Sequence, residues 1–251
     1  MGIINNTDIL NEVIEKFNAI EKKINDPMIF EPFYKDFSYR FCWSSNAIEG
    51  NTLSLDETIS IVEYDEVNDG HAFTEYKEAK LLYKAIDEKL YQTPQSISEE
   101  WIQSVNAIIT DAVGEYRQKN LYIGTLVEAT YYPPDYEKVP ELMKEFLQTV
   151  NFQCEDKKDV IPAIAEQHIK FERIHPFVDG NGRTGRMILN QQMMNHGFLP
   201  LTIEGQSKYR QAFRAYDQNN DLSLLVHLIC RGEIASISRV EELAVRLNDS
   251  I

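Results

Sequence analysis

The sequence predicts an all-α protein, a helical bundle that carries one small β-hairpin beside a functional loop. Three observations predict it. Apolar residues recur at three- and four-residue spacing through most of the chain. Helix starts and stops stand between these periodic stretches. A single β-branched and aromatic stretch, from Thr125 to Tyr132, breaks the pattern. With 251 residues, the chain is long enough to bury a sizeable core.

Taken in order, Ile9, Val13, Ile14, Phe17, Ile20 and Ile24 set the apolar face of a first helix over about 8–24. A second helix is expected over about 32–49, with Gly50 as its stop. Ser54 and Glu57 form a capping-box pattern that opens a third. Residues 54–69 hold six acids and no base, which reads as a solvated face. Further helices are expected over 73–90, 98–111, 137–151, 159–174, 183–196, 206–218 and 221–249, the last broken near Gly232. The stretch after Thr125, followed by Pro133, Pro134 and Asp135 as a turn, predicts a hairpin over about 125–139. A lone hairpin is marginally stable, so it needs a docking surface or a function. A weak boundary at 91–98 divides the chain into an N-terminal helical region, 1–95, and a core, 96–251.

Composition narrows the function. Net charge is −15, which disfavours nucleic acid and anionic membrane as partners. Cys42, Cys154 and Cys230 are odd in number and far apart, which argues against a disulfide framework or a zinc site and fits a reducing cytoplasm. No apolar run reaches membrane-spanning length, and the N-terminus has no secretion signal. The opening Met-Gly is not followed by Ser or Thr at position 6, which is Asn6, so myristoylation is set aside.

The densest chemistry is HPFVDGNGRTGR, residues 175–186. Pro176 ends the preceding helix, and Asp179 to Gly182 is turn chemistry, so the string reads as a helix–loop–helix elbow. Gly180 and Gly182 allow successive N–H groups to face one hollow at a helix start, where the dipole favours an anion. Arg183 and Arg186 are three apart and suit phosphate oxygens. Asp179 is a hard oxygen ligand that fits Mg²⁺ shared with substrate phosphates. His175 supplies a general base. These parts fit attack on a nucleotide phosphate, and no Walker pattern is present.

The string resembles the signature of Fic-domain proteins, H-P-F-x-D-G-N-G-R-x-x-R, at every defined position. Gln167 to Phe171, Leu189-Asn190, Gly114 to Arg117 and Tyr132 to Pro134 are similar to neighbouring elements of that family, and the resemblance spans roughly 40–230. It implies the Fic fold and protein adenylyltransferase activity: AMP passes from ATP to a Ser, Thr or Tyr hydroxyl of a target protein, the chain itself included. It implies His175 as the base and Asp179 as the ligand of Mg²⁺ or Mn²⁺. Asn181 with the Gly180 and Gly182 backbone would form the anion hole, Arg183 would hold the β-phosphate region and Arg186 the γ-phosphate. Phe177 would anchor the loop, and Asn190 would lie close to the nucleotide. Thr130, Tyr131 and Tyr132 of the hairpin would align the target backbone by strand addition.

Ser45-Asn-Ala-Ile-Glu49-Gly50 resembles the family's inhibitory motif, [ST]-x-x-x-E-[GN]. Ser45 and Glu49 lie one helical turn apart on one face. The resemblance implies that Glu49 pairs with Arg186, oriented by Ser45, and pushes ATP into a non-productive pose. Other readings stay open: transfer of UMP, phosphocholine or phosphate, removal of AMP by a water that Glu49 positions, or a nucleotide-responsive binding module with little turnover. The target protein and oligomeric state, a homodimer among the options, are not legible in the sequence.

Overall fold

Ten helices and one two-stranded hairpin make up the fold among the described residues, which are 3–67, 69–90, 93–124 and 129–248 of a computed structural model. In chain order the helices are α1 (Thr7–Ile24), α2 (Pro27–Glu49), α3 (Leu55–Tyr64), α4 (Phe73–Lys89) and α5 (Glu99–Thr110). After β1 (Ile123–Gly124) and β2 (Ala129–Tyr131) come α6 (Val139–Thr149), α7 (Val160–Ile174), α8 (Asn181–Asn195), α9 (Gln206–Asn219) and α10 (Ser223–Asn248). The all-α expectation holds. No helix among the described residues is long and apolar enough to cross a membrane.

The apolar stripes face one continuous core. Val13, Phe17 and Ile20 of α1 are buried against α10. Phe33, Phe37 and Phe41 line the buried face of α2, with the rings of Phe37 and Phe41 stacked at 5.5 Å. α7 and α8 pack on each other and form the elbow that the sequence announced.

Three features of the helices differ from expectation. α2 begins at Pro27, not near 32, because Asp26 caps Met28 N at 3.0 Å and Pro27 takes the first helical position, where its missing N–H costs nothing. α8 begins at Asn181, two residues before Arg183. α10 is not broken at Gly232. That glycine instead lets α10 approach the chain at 201–202, where a Cβ would meet Thr202 O at 2.7 Å and Leu201 Cδ1 at 2.9 Å.

The hairpin is also shifted. Ile123 pairs with Tyr131 and Gly124 with Ala129, and residues 125–128 lie outside the described residues. Pro133 and Pro134 therefore follow the second strand instead of turning between strands, and residues Tyr136–Lys138 form a 3-10 turn into α6. Proline removes a ladder donor, so it ends the strand. The acidic stretch 54–69 is only partly a free face. Glu63 pairs with Lys35 at 3.2 Å and accepts from Tyr39, and Asp65 pairs with Lys80.

Candidate active site

The end of α7 sets the histidine. His175 adopts φ 51° and ψ 60°, a left-handed conformation that is uncommon for a side chain of this size. Arg117 holds the turn there: its Nε donates to His175 O at 2.9 Å and its backbone N to Pro176 O at 2.8 Å. Arg117 also donates to Pro134 O, so it ties the segment after the hairpin to the motif loop. Burial lowers the His175 pKa to about 4, with cationic Arg117 and Arg173 adding to the effect, while the Glu172 backbone and the Glu49 carboxylate oppose it. The imidazole is therefore neutral at physiological pH and free to accept a proton.

The loop is built from inside. Phe177 is buried, and Asn181 brackets it, accepting from Phe177 N and donating to Phe177 O, both at 2.9 Å. Both polar atoms of the Asn181 side chain are thus engaged by the loop. Asn106 of α5 donates to Asp179 O at 2.9 Å. Gly180 has φ 76°, and a Cβ there would run into Thr110 and Asn106. The first ladder bond of α8 runs from Thr184 N to Gly180 O at 2.9 Å. The N–H groups of Asn181, Gly182 and Arg183 precede it and face out of the helix start.

Arg186 is the most constrained charge in the site. It is 2% exposed. Its Nε donates to Ser45 Oγ at 2.8 Å, and its Nη2 donates to Ser45 O at 2.9 Å and Glu49 Oε1 at 2.6 Å. The Tyr209 ring lies 5.6 Å from the guanidinium carbon. Burial alone would disfavour the Arg186 charge, but Glu49 outweighs it and holds that pKa above its ordinary value. For Glu49, whose side chain is 39% exposed, partial desolvation pushes the carboxyl up, and Arg186 beside it more than reverses this, leaving Glu49 ionised. Gly182 makes room: a Cβ there would sit well inside contact with Glu49 Oε1.

Arg183 differs. It is buried, with Glu78 Oε1 3.7 Å from its Nη1 and Asp179 Oδ1 3.6 Å from its Nη2. Its Nε and Nη1 make no hydrogen bond. The Asp179 side chain is 75% exposed, and its Oδ1 accepts from Gly180 N at 2.6 Å. The described residues hold no cluster of three metal-ligating side chains. A single exposed carboxylate beside free phosphate donors fits Mg²⁺ or Mn²⁺ only if substrate phosphates complete the shell.

His175, Glu49, Gly182, Arg186 and Tyr131 line one cleft of about 340 Å³. Asp179 borders a neighbouring groove of about 580 Å³ beside Asn106, Tyr116 and Arg117. Asn190 is buried and its polar atoms are engaged by Arg186 O at 3.1 Å and Leu201 N at 2.7 Å. Tyr132 is exposed, and the Thr130 side chain lies outside the described residues.

Sequence reasoning did not assign several contacts in and behind the cleft. Arg173 pairs with Asp217 through both its Nε and Nη2, at 2.8 and 2.7 Å, and its guanidinium covers the Tyr131 ring at 4.3 Å. Glu172 is buried in the cleft wall, and burial raises its carboxyl to about 7, against the pull of Arg186. His168 Nδ1 meets Gly185 O at 3.2 Å, so that nitrogen carries the hydrogen and Nε2 accepts from Tyr209 OH at 2.6 Å. Gln206 donates to Ile48 O at 2.7 Å, satisfying the carboxyl end of α2. For His168 the sequence offered the resemblance of Gln167 to Phe171; for the others the only signal was the apolar periodicity around them, which does not separate a core tyrosine from one that backs an arginine.

Comparisons with known proteins agree with the motif. The profile of the Fic/DOC family matches residues 96–193. The "Protein adenylyltransferase Fic" of Drosophila mojavensis is 30% identical over 181 residues, covering 69% of this chain and 35% of that protein. Its counterpart in Drosophila willistoni is 31% identical over 184 residues, covering 70% and 36%. The chain thus spans about a third of the length of these curated relatives. A Fic domain containing signaling protein from Bacteroides thetaiotaomicron shares the fold, with a TM-score of 0.81 at 20% identity, over 94% of this chain and 97% of that one. Fic-1 from C. elegans gives a TM-score of 0.78 at 25% identity, over 95% and 72%. With the motif intact from His175 to Arg186, the family profile matched over 96–193 and relatives 30–31% identical over 69–70% of the chain, the chain belongs to the Fic/DOC family.

Proposed function

We propose that the chain transfers AMP from ATP to a Ser, Thr or Tyr hydroxyl of a protein, itself included, and that Glu49 restrains this transfer by occupying Arg186. The observation that carries the reading is the buried Arg186, already engaged by Ser45 and Glu49 beside a histidine held neutral. His175 takes the hydroxyl proton, the hydroxyl oxygen bonds to the α-phosphorus, and the bond from that phosphorus to the bridging oxygen of pyrophosphate breaks. The N–H groups at the start of α8 and the free donors of Arg183 meet the phosphate charge as it shifts. A divalent cation held by Asp179 and the phosphates would supply charge neutralisation for the leaving pyrophosphate.

A second reading draws on Glu49 alone. Its ionised carboxylate lines the same cleft as His175, the arrangement needed to position a water that removes AMP from a modified protein. ATP labelled at the α-phosphate or at the γ-phosphate, given to Glu49→Gly protein with Mg²⁺, separates the donor groups. Protein labelled only by the α-label supports AMP transfer, and labelling only by the γ-label overturns it. Release of AMP from a modified target by the wild-type chain but not by Glu49→Gly would favour the second reading.

A further inference from the structure

The two motif arginines meet acids with different grips. Arg186 Nη2 donates to Glu49 Oε1 at 2.6 Å. Arg183 stands between Glu78 and Asp179, 3.7 and 3.6 Å away, with both buried Nε and Nη1 free of hydrogen bonds. Glu78 lies on α4, and its other oxygen accepts from Asn51 Nδ2 at 3.1 Å. Asn51 also donates to Glu75 O at 3.0 Å, and Thr52 donates to Glu75 Oε1 through N at 2.6 Å and Oγ1 at 2.7 Å. The segment that follows Glu49 is therefore laced to the first turns of α4, and Glu78 joins that lacing to Arg183.

We infer that Glu78 is a positioning residue for the phosphate site: it balances Arg183 against Asp179 and so keeps the arginine's donors and the aspartate's exposed carboxylate both free for ligand. This rests on reading residues 175–186 as a phosphate site. Two effects oppose each other when Glu78 loses its charge. Coulomb repulsion of an anionic ligand falls, which tightens binding. The buried guanidinium also loses a counter-charge, and an uncompensated buried charge is costly, so it closes onto Asp179 and withdraws both groups from the ligand. Arg183 is 4% exposed and cannot turn to water for compensation, which makes the second effect the larger.

The test measures dissociation constants of ATP, ADP and AMP with Mg²⁺ by calorimetry, all in the Glu49→Gly background. Glu78→Gln keeps an acceptor for Asn51 and removes the charge. It is expected to weaken ATP and ADP about fivefold, the scale of one partly exposed ion pair, and to leave AMP unchanged. Glu78→Asp keeps the charge and restores part of the loss. Tighter ATP binding in Glu78→Gln, or equal weakening of AMP, overturns the assignment. Absence of nucleotide binding in the Glu49→Gly parent overturns the phosphate site itself, whereas intact binding there with no Glu78 effect overturns the role of Glu78 alone.

Discussion

Arg186 and Glu49 meet at 2.6 Å although 137 residues separate them in sequence. The contact joins the second arginine of the motif loop to the last turn of α2. An acid at a helix carboxyl end opposes the helix dipole, so Glu49 is there at a cost that only a cation offsets. Arg186 is that cation, and it has no solvent to turn to.

Ser45 completes the hold, accepting from Arg186 Nε at 2.8 Å with no exposure of its own. Ser45→Ala leaves a buried charged donor unmatched, at about 1.5–3 kcal/mol. Basal AMP labelling is expected to rise in this variant, by less than in Glu49→Gly. Measuring labelling rates of the two variants beside the wild type checks the order.

The pH profile reports the base. His175→Ala should lower transfer by about 10²-fold or more while ATP affinity changes little. In Glu49→Gly protein, transfer should hold down to about pH 4 and fall only below it, because burial lowers the imidazole to about 4 with Glu49 present and the lost carboxylate had opposed that shift. Protonation below that value removes the acceptor. An acid limb centred on the ordinary histidine value would contradict the burial argument.

Gly182 offers a steric test. Its backbone is helical, so Ala is tolerated by conformation, yet a Cβ would collide with Glu49 Oε1. Gly182→Ala should displace Glu49 and crowd the phosphate hollow together. ATP affinity is expected to drop about tenfold or more, and the melting temperature to fall because buried Arg186 loses its counter-charge; calorimetry and thermal scans read the two effects separately.

Much of this was legible in the sequence, for physical reasons. Period and capping signals placed α1, α4 and α7, and the start of α3, almost to the residue because amphipathic faces and caps are local. Gly232 and the two prolines at 133–134 misled, since a glycine's reason can be a close neighbour and a proline can end a strand instead of turning a hairpin. The pairing of Glu49 with Arg186 was reachable only through the resemblance of two motifs. Glu78, Glu172 and Tyr209 were invisible, because a residue on a helix face does not disclose what stands across from it. The His175 pKa was likewise out of reach, since burial sets it.

A buried acid far from the cleft gives a stability test. Glu233 is fully buried, accepts from Leu199 N at 3.1 Å, and burial raises its carboxyl to about 8. With the folded pKa above the unfolded one, its contribution to stability is complete below the ordinary glutamate value and is lost as pH rises through about 8. Glu233→Gln keeps the acceptor and cannot ionise. It should melt several degrees above the wild type at pH 9 and close to it at pH 5 by thermal denaturation.

The most direct measurement compares AMP incorporation from α-labelled ATP by the wild-type chain, Glu49→Gly and Glu49→Gly with His175→Ala under one set of conditions. The account predicts low incorporation by the wild type, an increase of about tenfold or more when Glu49 is removed, and its loss when His175 follows. Equal incorporation by the wild type and Glu49→Gly would contradict the claim that Glu49 withholds Arg186 from ATP.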